Sequence, residues 1–415
     1  MNSDTHQIVT TNLVHRRDKT AAPWWRSAVV CDLPGSFSAK DMTAITEYLP
    51  DIAGLGFTGI LVRPASTQSE KSLKTLEDLI AAAHASGLQV LVRVFIPEDD
   101  EELEPVESPP LLQLEHDASQ LQEQVQTLLE MGADGVDLGK LEEDLGGSDA
   151  SAKARAFTET VQELLADVTL AGDSTVLSAA VSTQPRDAAQ RHLTEEWFHH
   201  LRDDSLIVSP WDADELSRQI VNTYSDRDPL GQSAAWRYSM PRWSPSPLAR
   251  DSESVGWAAH PDGDDREMAM MLLVLALPGA AYVPFLHVGG GVKAGKRKSG
   301  PLKFSFAKGR GAQFRSRIAR DAISLRHRLD LGETALASVE GLDWANVNTA
   351  VMLAGPVMVV LNTGTDTVTV PPEHRLALSS EPYPRVTDDG SLVPPNTCAW
   401  FHTAARRPEG PVAYR

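Results

Sequence analysis

The sequence predicts an α/β chain, a (β/α)8 TIM barrel followed by a small antiparallel β-sandwich C-terminal domain. Three observations predict it. Short runs rich in Val, Ile, Leu and Ala, at 59–62, 90–95, 135–138 and 175–180, alternate with segments whose apolar residues recur at helical spacing. Eight such strand–helix units fit between residues 23 and 330, the count of a closed barrel. After about residue 331 the helical spacing stops, and short strands follow one another with Gly, Pro, Asn and Asp between them.

The elements are justified in order. Residues 1–22 are polar and aperiodic, which predicts a mobile N-terminal arm. Pro23-Trp24-Trp25-Arg26 opens the barrel (23–330), and strand one runs to Val30. Ile45, Leu49, Ile52 and Leu55 form one stripe of a helix over 42–55, which Gly56 stops before strand two at 59–62. A helix over 76–85 ends at Gly87, and strand three spans 90–95. Residues 97–110 are acidic and broken by prolines, the composition of a loop. Leu121, Val125, Leu128 and Leu129 mark a helix over 118–130, and the stretch Met131-Gly-Ala-Asp-Gly-Val-Asp-Leu-Gly-Lys140 reads as a helix end, a glycine turn and buried strand four. Helices are expected at 157–168, 188–201, 216–224, 268–277 and 314–328. Strands are expected at 175–180, 206–209, 234–239 and 281–285. This places His199 and His200 on a helix surface. Strands at 351–353, 357–362, 367–370 and 398–401 belong to the all-β domain (331–405), before a tail at 406–415.

Composition excludes several classes. Hydrophobic residues make up 42% and charged residues 23%, an ordinary globular balance. No apolar run reaches the roughly 18 residues of a membrane span, and the first residues lack the basic and apolar regions of a signal peptide. Two distant cysteines, Cys31 and Cys398, suit a reducing compartment, so a cytoplasmic location is expected. The net charge of −19 argues against nucleic-acid binding and suits a protein partner with a basic surface. No Cys, His and Asp cluster has metal-site spacing, and no cofactor motif is present.

The 131–140 stretch closely resembles the strand-four motif G-x-D-G-F-R-x-D of the α-amylase/α-glucosidase family, glycoside hydrolase family 13. The opening Trp24-Trp25-Arg26, the Leu277-Pro278-Gly279 turn before strand eight and the Met358-Val-Val-Leu-Asn362 strand are similar to the same family in the same order. The resemblance implies an active site of three carboxylates at the ends of strands four, five and seven, with nucleophile and acid about 5–5.5 Å apart. Carried over position by position, none of the three remains. Gly139 stands at the nucleophile position and Ala179 in the strand-five pair that should hold the acid. The stretch 238–247 contains neither His nor Asp. At strand three, Arg93, Pro97 and Glu98 replace Asp, Asn and His. The family's domain B, inserted after strand three, is replaced by the short loop 97–110.

The charges of one pair are exchanged. Where the family has Asp on strand three and Arg on strand four, this chain has Arg93 and Asp137, so an ion pair across the two strands is expected to fill the former cleft. Each missing catalytic group would remove several kcal/mol of barrier lowering. The resemblance therefore implies a catalytically inactive member, a pseudoenzyme acting as an interaction scaffold or regulatory subunit. Its layout is similar to the heavy chain of heteromeric amino-acid transporters. The alternative is an α-glucan or oligosaccharide-binding protein, or a weak glycosidase with unconventional residues.

Two further stretches bear on ligands. Lys293, Lys296, Arg297 and Lys298, with Lys303, Lys308 and Arg310, form a basic segment after strand eight. It reads as a solvated loop, as a docking site for an acidic partner or for the chain's own acidic loop, or as a polyanion site. Trp236 and Trp243 lie in an aromatic, proline-rich stretch on the expected binding face, which makes them candidates for stacking on a carbohydrate.

Overall fold

The computed structural model describes residues 8–16, 22–34, 37–65, 67, 69–94, 114–141, 150–181, 186–239, 257, 263–293, 303–306 and 308–403. Eight parallel strands close a barrel: Val29–Asp32, Gly59–Val62, Gln89–Arg93, Gly135–Lys140, Val176–Ala180, His200–Arg202, Ala235–Trp236 and Ala280–Pro284. The first pairs with the eighth, Val30 opposite Tyr282, which seals the ring.

Two faces alternate along every strand, as the period of two requires. Val29, Cys31, Ile60, Val62, Val90, Val92, Val136, Leu138, Leu177 and Ala179 point outward into the large core shared with the helices. Ala28, Val30, Leu61, Leu91, Val176, Ala235, Ala280 and Tyr282 point inward and pack as a separate small core inside the ring. Half-buried Trp24 and Trp25 pack against this inner core from the start of strand one, at the end of the barrel away from the strand C-termini. Trp24 donates to the Ser174 carbonyl at 2.8 Å.

Helix Gly263–Ala276 is buried without a break from Met268 to Ala276. It lies between the barrel and the C-terminal domain, so every side of it meets protein, as an all-round apolar helix must. Trp400 of the C-terminal domain donates to its Leu272 carbonyl at 3.2 Å. Buried Arg326, on the closing helix Arg310–Arg328, donates to the Leu275 and Leu277 carbonyls at 2.8 and 2.7 Å, tying that helix to the end of the apolar one. The C-terminal domain is a six-stranded antiparallel sheet facing a three-stranded one, with Val351, Met358, Val360, Val368, Val370, Val393 and Phe401 between them.

Two expectations need correction. The arm expected to be mobile contains the strand Thr10–His15, which pairs antiparallel with Leu336–Glu340 at the edge of the large sheet. His15 sits 2.8 Å from Asp228 and its ring lies against Tyr224, so the segment is tied to the barrel as well. Its partner strand is more than 300 residues away, a pairing that local polarity cannot signal. The sixth barrel strand is His200–Arg202, not 206–209, and the preceding helix ends at Thr194. Ser205–Val208 is one helical turn, begun where the Asp203 carboxylate accepts from the Ser205 amide and hydroxyl. A short run such as Leu-Ile-Val fits a strand and a buried turn equally well.

Candidate functional site

The inward-facing positions change character towards the C-terminal ends of the strands. Strand one carries Val30 and then Asp32, strand two Leu61 and then Arg63 just past its end, and strand three Leu91 and then Arg93. Asp137 on strand four stands beside Arg93 in register, and Ser178 on strand five stands beside Asp137. His200 and Arg202 follow on strand six. The sequence therefore closes the mouth of its own barrel with charged side chains.

Asp137 is at the centre and is 0% exposed. One carboxylate oxygen pairs with the Arg93 Nε and accepts the Gly139 amide at 2.9 Å. The other pairs with the Arg202 guanidinium and accepts the Ser178 hydroxyl at 3.0 Å. Burial by itself would raise the Asp137 carboxyl. Arg202, Arg93 and Arg63, with the Ser178 hydroxyl, outweigh burial and hold it well below the usual carboxylate range. The pair foreseen between Arg93 and Asp137 is thus formed, within a larger network than one pair.

The network continues to either side. Arg63 pairs with Asp32 at 2.6 Å and donates to the Leu33 carbonyl. Burial, with nearby Arg63 and Arg202, lowers Arg93 to about 10, against the opposing pull of Asp137. Arg202 has its own burial to overcome, yet Asp137, Tyr282 and Asp32 raise it. Its guanidinium lies 4.6 Å from the centre of the Tyr282 ring, a cation–π contact. His200 is bound on both ring nitrogens, to the Tyr282 hydroxyl and to the Trp25 carbonyl, each at 2.7 Å. Burial drives it down to about 3, opposed by the carbonyl and reinforced by Arg202, so it is neutral at ordinary pH. A residue expected on a helix surface is in fact a barrel-interior histidine.

The positions aligned with catalytic carboxylates are distributed unevenly. Gly139 faces the interior with φ +76°, and a Cβ there would stand 2.8 Å from the Arg93 Cζ. The space that a side chain at position 139 would take is thus filled by a guanidinium. Ala179 is buried on the outer face of its strand, and the inward strand-five positions are Ser178 and Ala180. Trp236 does not offer a stacking surface. It is 3% exposed, lies against Tyr224 and donates to the Pro278 carbonyl at 2.6 Å. Lys293 closes the strand Gly290–Lys293, which pairs with Lys303–Phe306. Glu98, Trp243, Lys296, Arg297, Lys298 and the loop 97–110 lie outside the described residues. Among the described residues, no group of three or more His, Cys, Asp or Glu could hold a metal, and no helix is long and apolar enough to cross a membrane.

No family model and no curated protein matches the chain. Solved structures do. The α-amylase from H. orenii superimposes with a TM-score of 0.59 at 12% identity, over 91% of this chain and 99% of that one. The debranching enzyme from Nostoc punctiforme gives 0.61 at 14% identity, over 93% and 100%. AmyP in complex with maltotriose gives 0.60 at 11%, over 91% and 98%. The chain has the fold of the α-amylases. The similarity extends over both the barrel and the C-terminal domain, as the order of motifs implied.

The sequence pointed to Arg93 and Asp137 but not to Arg63, Asp32, Ser178, His200 or Arg202. For strand six the signal was the triplet His200-Leu201-Arg202, polar–apolar–polar, which is the alternation of a barrel strand with its polar side inward. At three residues it is too short to outweigh the apolar run that follows.

Proposed function

We propose that this chain is a member of the α-amylase family that does not hydrolyse glycosides and serves as an interaction scaffold or regulatory subunit. The observation that carries this reading is the state of Asp137. It is the carboxylate nearest the nucleophile position, and all its contacts are taken, by two guanidiniums, a hydroxyl and an amide. A nucleophile needs a free oxygen facing the sugar and a protonated partner about 5–5.5 Å away. Ser178 and Gly139, which also contact it on the inner face, cannot donate as acids at neutral pH.

The test is an assay on p-nitrophenyl α-glucoside and maltotriose at high protein concentration. No turnover above buffer is expected. Turnover that disappears in Asp137→Asn would overturn the reading. Co-purification of a stoichiometric protein from native lysate supports the scaffold role, and its absence counts against it.

A second reading, glucan binding without hydrolysis, is favoured by a separate cavity of about 350 Å³ in the barrel wall. Leu193, Leu201 and Val208 give it apolar surface, and Gln190, Gln219 and Asn222 bring amides of the kind that bind sugar hydroxyls. Calorimetric titration with maltotriose, on wild type and Asn222→Leu, separates this reading from the first.

A further inference from the structure

One guanidinium at the barrel mouth has a buried nitrogen that no hydrogen bond among the described residues uses. Arg63, Arg93, Arg202 and Arg237 surround it on strands two, three, six and seven, and Arg227 stands behind Asp203. Among the described residues the facing carboxylates are Asp32, Asp137, Asp203 and Asp204. Among the described residues the mouth thus gathers four guanidiniums, with Arg227 a fifth behind Asp203, in a protein whose net charge is −19. Asp32 is paired with Arg63, and Asp137 with Arg93 and Arg202. The Asp203 carboxylate is engaged by Arg227 at 3.2 Å and by Ser205. Arg237 is the guanidinium with a donor to spare. Its Nε donates to the Asp203 carbonyl at 3.0 Å, but its Nη2 is buried with no hydrogen-bond partner. Burial and Arg202 lower the Arg237 guanidinium, against Asp204, Asp203 and Asp32, which raise it.

We propose that the barrel mouth is an oxyanion site of the phosphate class, in which Arg237 and Arg202, backed by Arg63 and Arg93, hold a phosphate group, either free or carried by a larger molecule. Guanidinium forks on neighbouring strands suit a tetrahedral anion, which can accept from more than one fork at once. A planar carboxylate is matched by a single fork. The neighbouring carboxylates set a limit, because Asp32, Asp137 and Asp203 beside the site repel a polyanion more than a small anion.

The proposal stands apart from the absence of hydrolysis. An α-glucosidase activity would sink the pseudoenzyme reading and leave the phosphate titration unaffected. The test is thermal melting and calorimetry of the full chain with inorganic phosphate, glucose 1-phosphate, glucose, and sodium acetate or chloride at matched ionic strength. A saturable rise in Tm with phosphate is expected, absent with glucose, acetate and chloride. Tighter binding of glucose 1-phosphate than of inorganic phosphate would identify a phosphorylated sugar as the source. Arg237→Met should weaken binding by about tenfold or more, as loss of one side of a buried charge pair does. Should that variant not fold, Arg237→Lys keeps the charge without the fork and should still weaken binding. A triple variant K296A/R297A/K298A should bind as wild type does. No saturable shift, an equal shift with acetate or chloride, unchanged binding in both Arg237 variants, or loss of binding only in the triple variant would each overturn the proposal.

Discussion

Two residues beyond Val30, Leu61 and Leu91, on the same three strands, stand Asp32, Arg63 and Arg93. The barrel interior therefore passes from hydrocarbon to ion pairs within one strand repeat, roughly 7 Å. The floor is a small apolar core of valine, leucine and alanine under Tyr282. It gains from every methylene, and His200 sits at its border, between the Trp25 carbonyl and the Tyr282 hydroxyl. The mouth is a polar network around Asp137 whose members are each tolerable only because the others are present. A floor residue contributes on its own account, whereas a mouth residue acts as part of a set. In a TIM barrel the mouth is where ligands are held, and here it carries ion pairs of its own.

That contrast can be broken most directly at Asp137. Asp137→Ala leaves Arg93 and Arg202 buried without their counter-charge and should cost about 3–5 kcal/mol in urea unfolding. The combined change R93M/D137L/R202M removes the whole set and should cost far less, or stabilise the fold. Equal losses in the two variants would mean that the network does not act as a unit. On the floor, Leu91→Ala should cost about 2–5 kcal/mol, and the loss should be the same at pH 5 and pH 8.

Acidification sharpens the difference further. The folded pKa of His200, about 3, lies below the unfolded value of about 6.5. The unfolded chain therefore takes up the proton first. The stability this histidine contributes is complete above pH 6.5 and is lost as pH falls towards 3. At pH 5 the loss from this group should be about 2 kcal/mol, and His200→Gln should remove that part of the slope. Asp137 is also depressed, so its contribution is lost in the same direction, below the unfolded carboxylate pKa of about 4. The smallest effect is expected at Trp236→Phe. It should cost about 1 kcal/mol through the hydrogen bond to Pro278 and leave any carbohydrate binding unchanged.

How much of this was legible depended on whether the signal was local. The strand Gly135–Lys140, the apolar helix Gly263–Ala276 and the strand Val357–Asn362 announce themselves through apolar content and glycine stops within ten or fifteen residues. The ion pair between Arg93 and Asp137 was also legible, because opposite charges stand at matching positions of two adjacent strands. Trp236 was misplaced as a ligand platform because an aromatic on a short strand carries no mark of which face it takes. Ala179 likewise aligned with a catalytic position while pointing out of the barrel.

By itself the sequence determined the class of fold and the order of the barrel and the sandwich. Periodicity and composition act along the chain and need no partner to be read. Only the tertiary structure decided that Arg202 and Ser178 complete the shell around Asp137, that His200 turns inward to Tyr282, and that Thr10–His15 pairs with a strand near residue 338. Closure of the ring sets those contacts. It brings strands distant in sequence to within hydrogen-bonding distance and fixes by strand parity which side chains must share the interior.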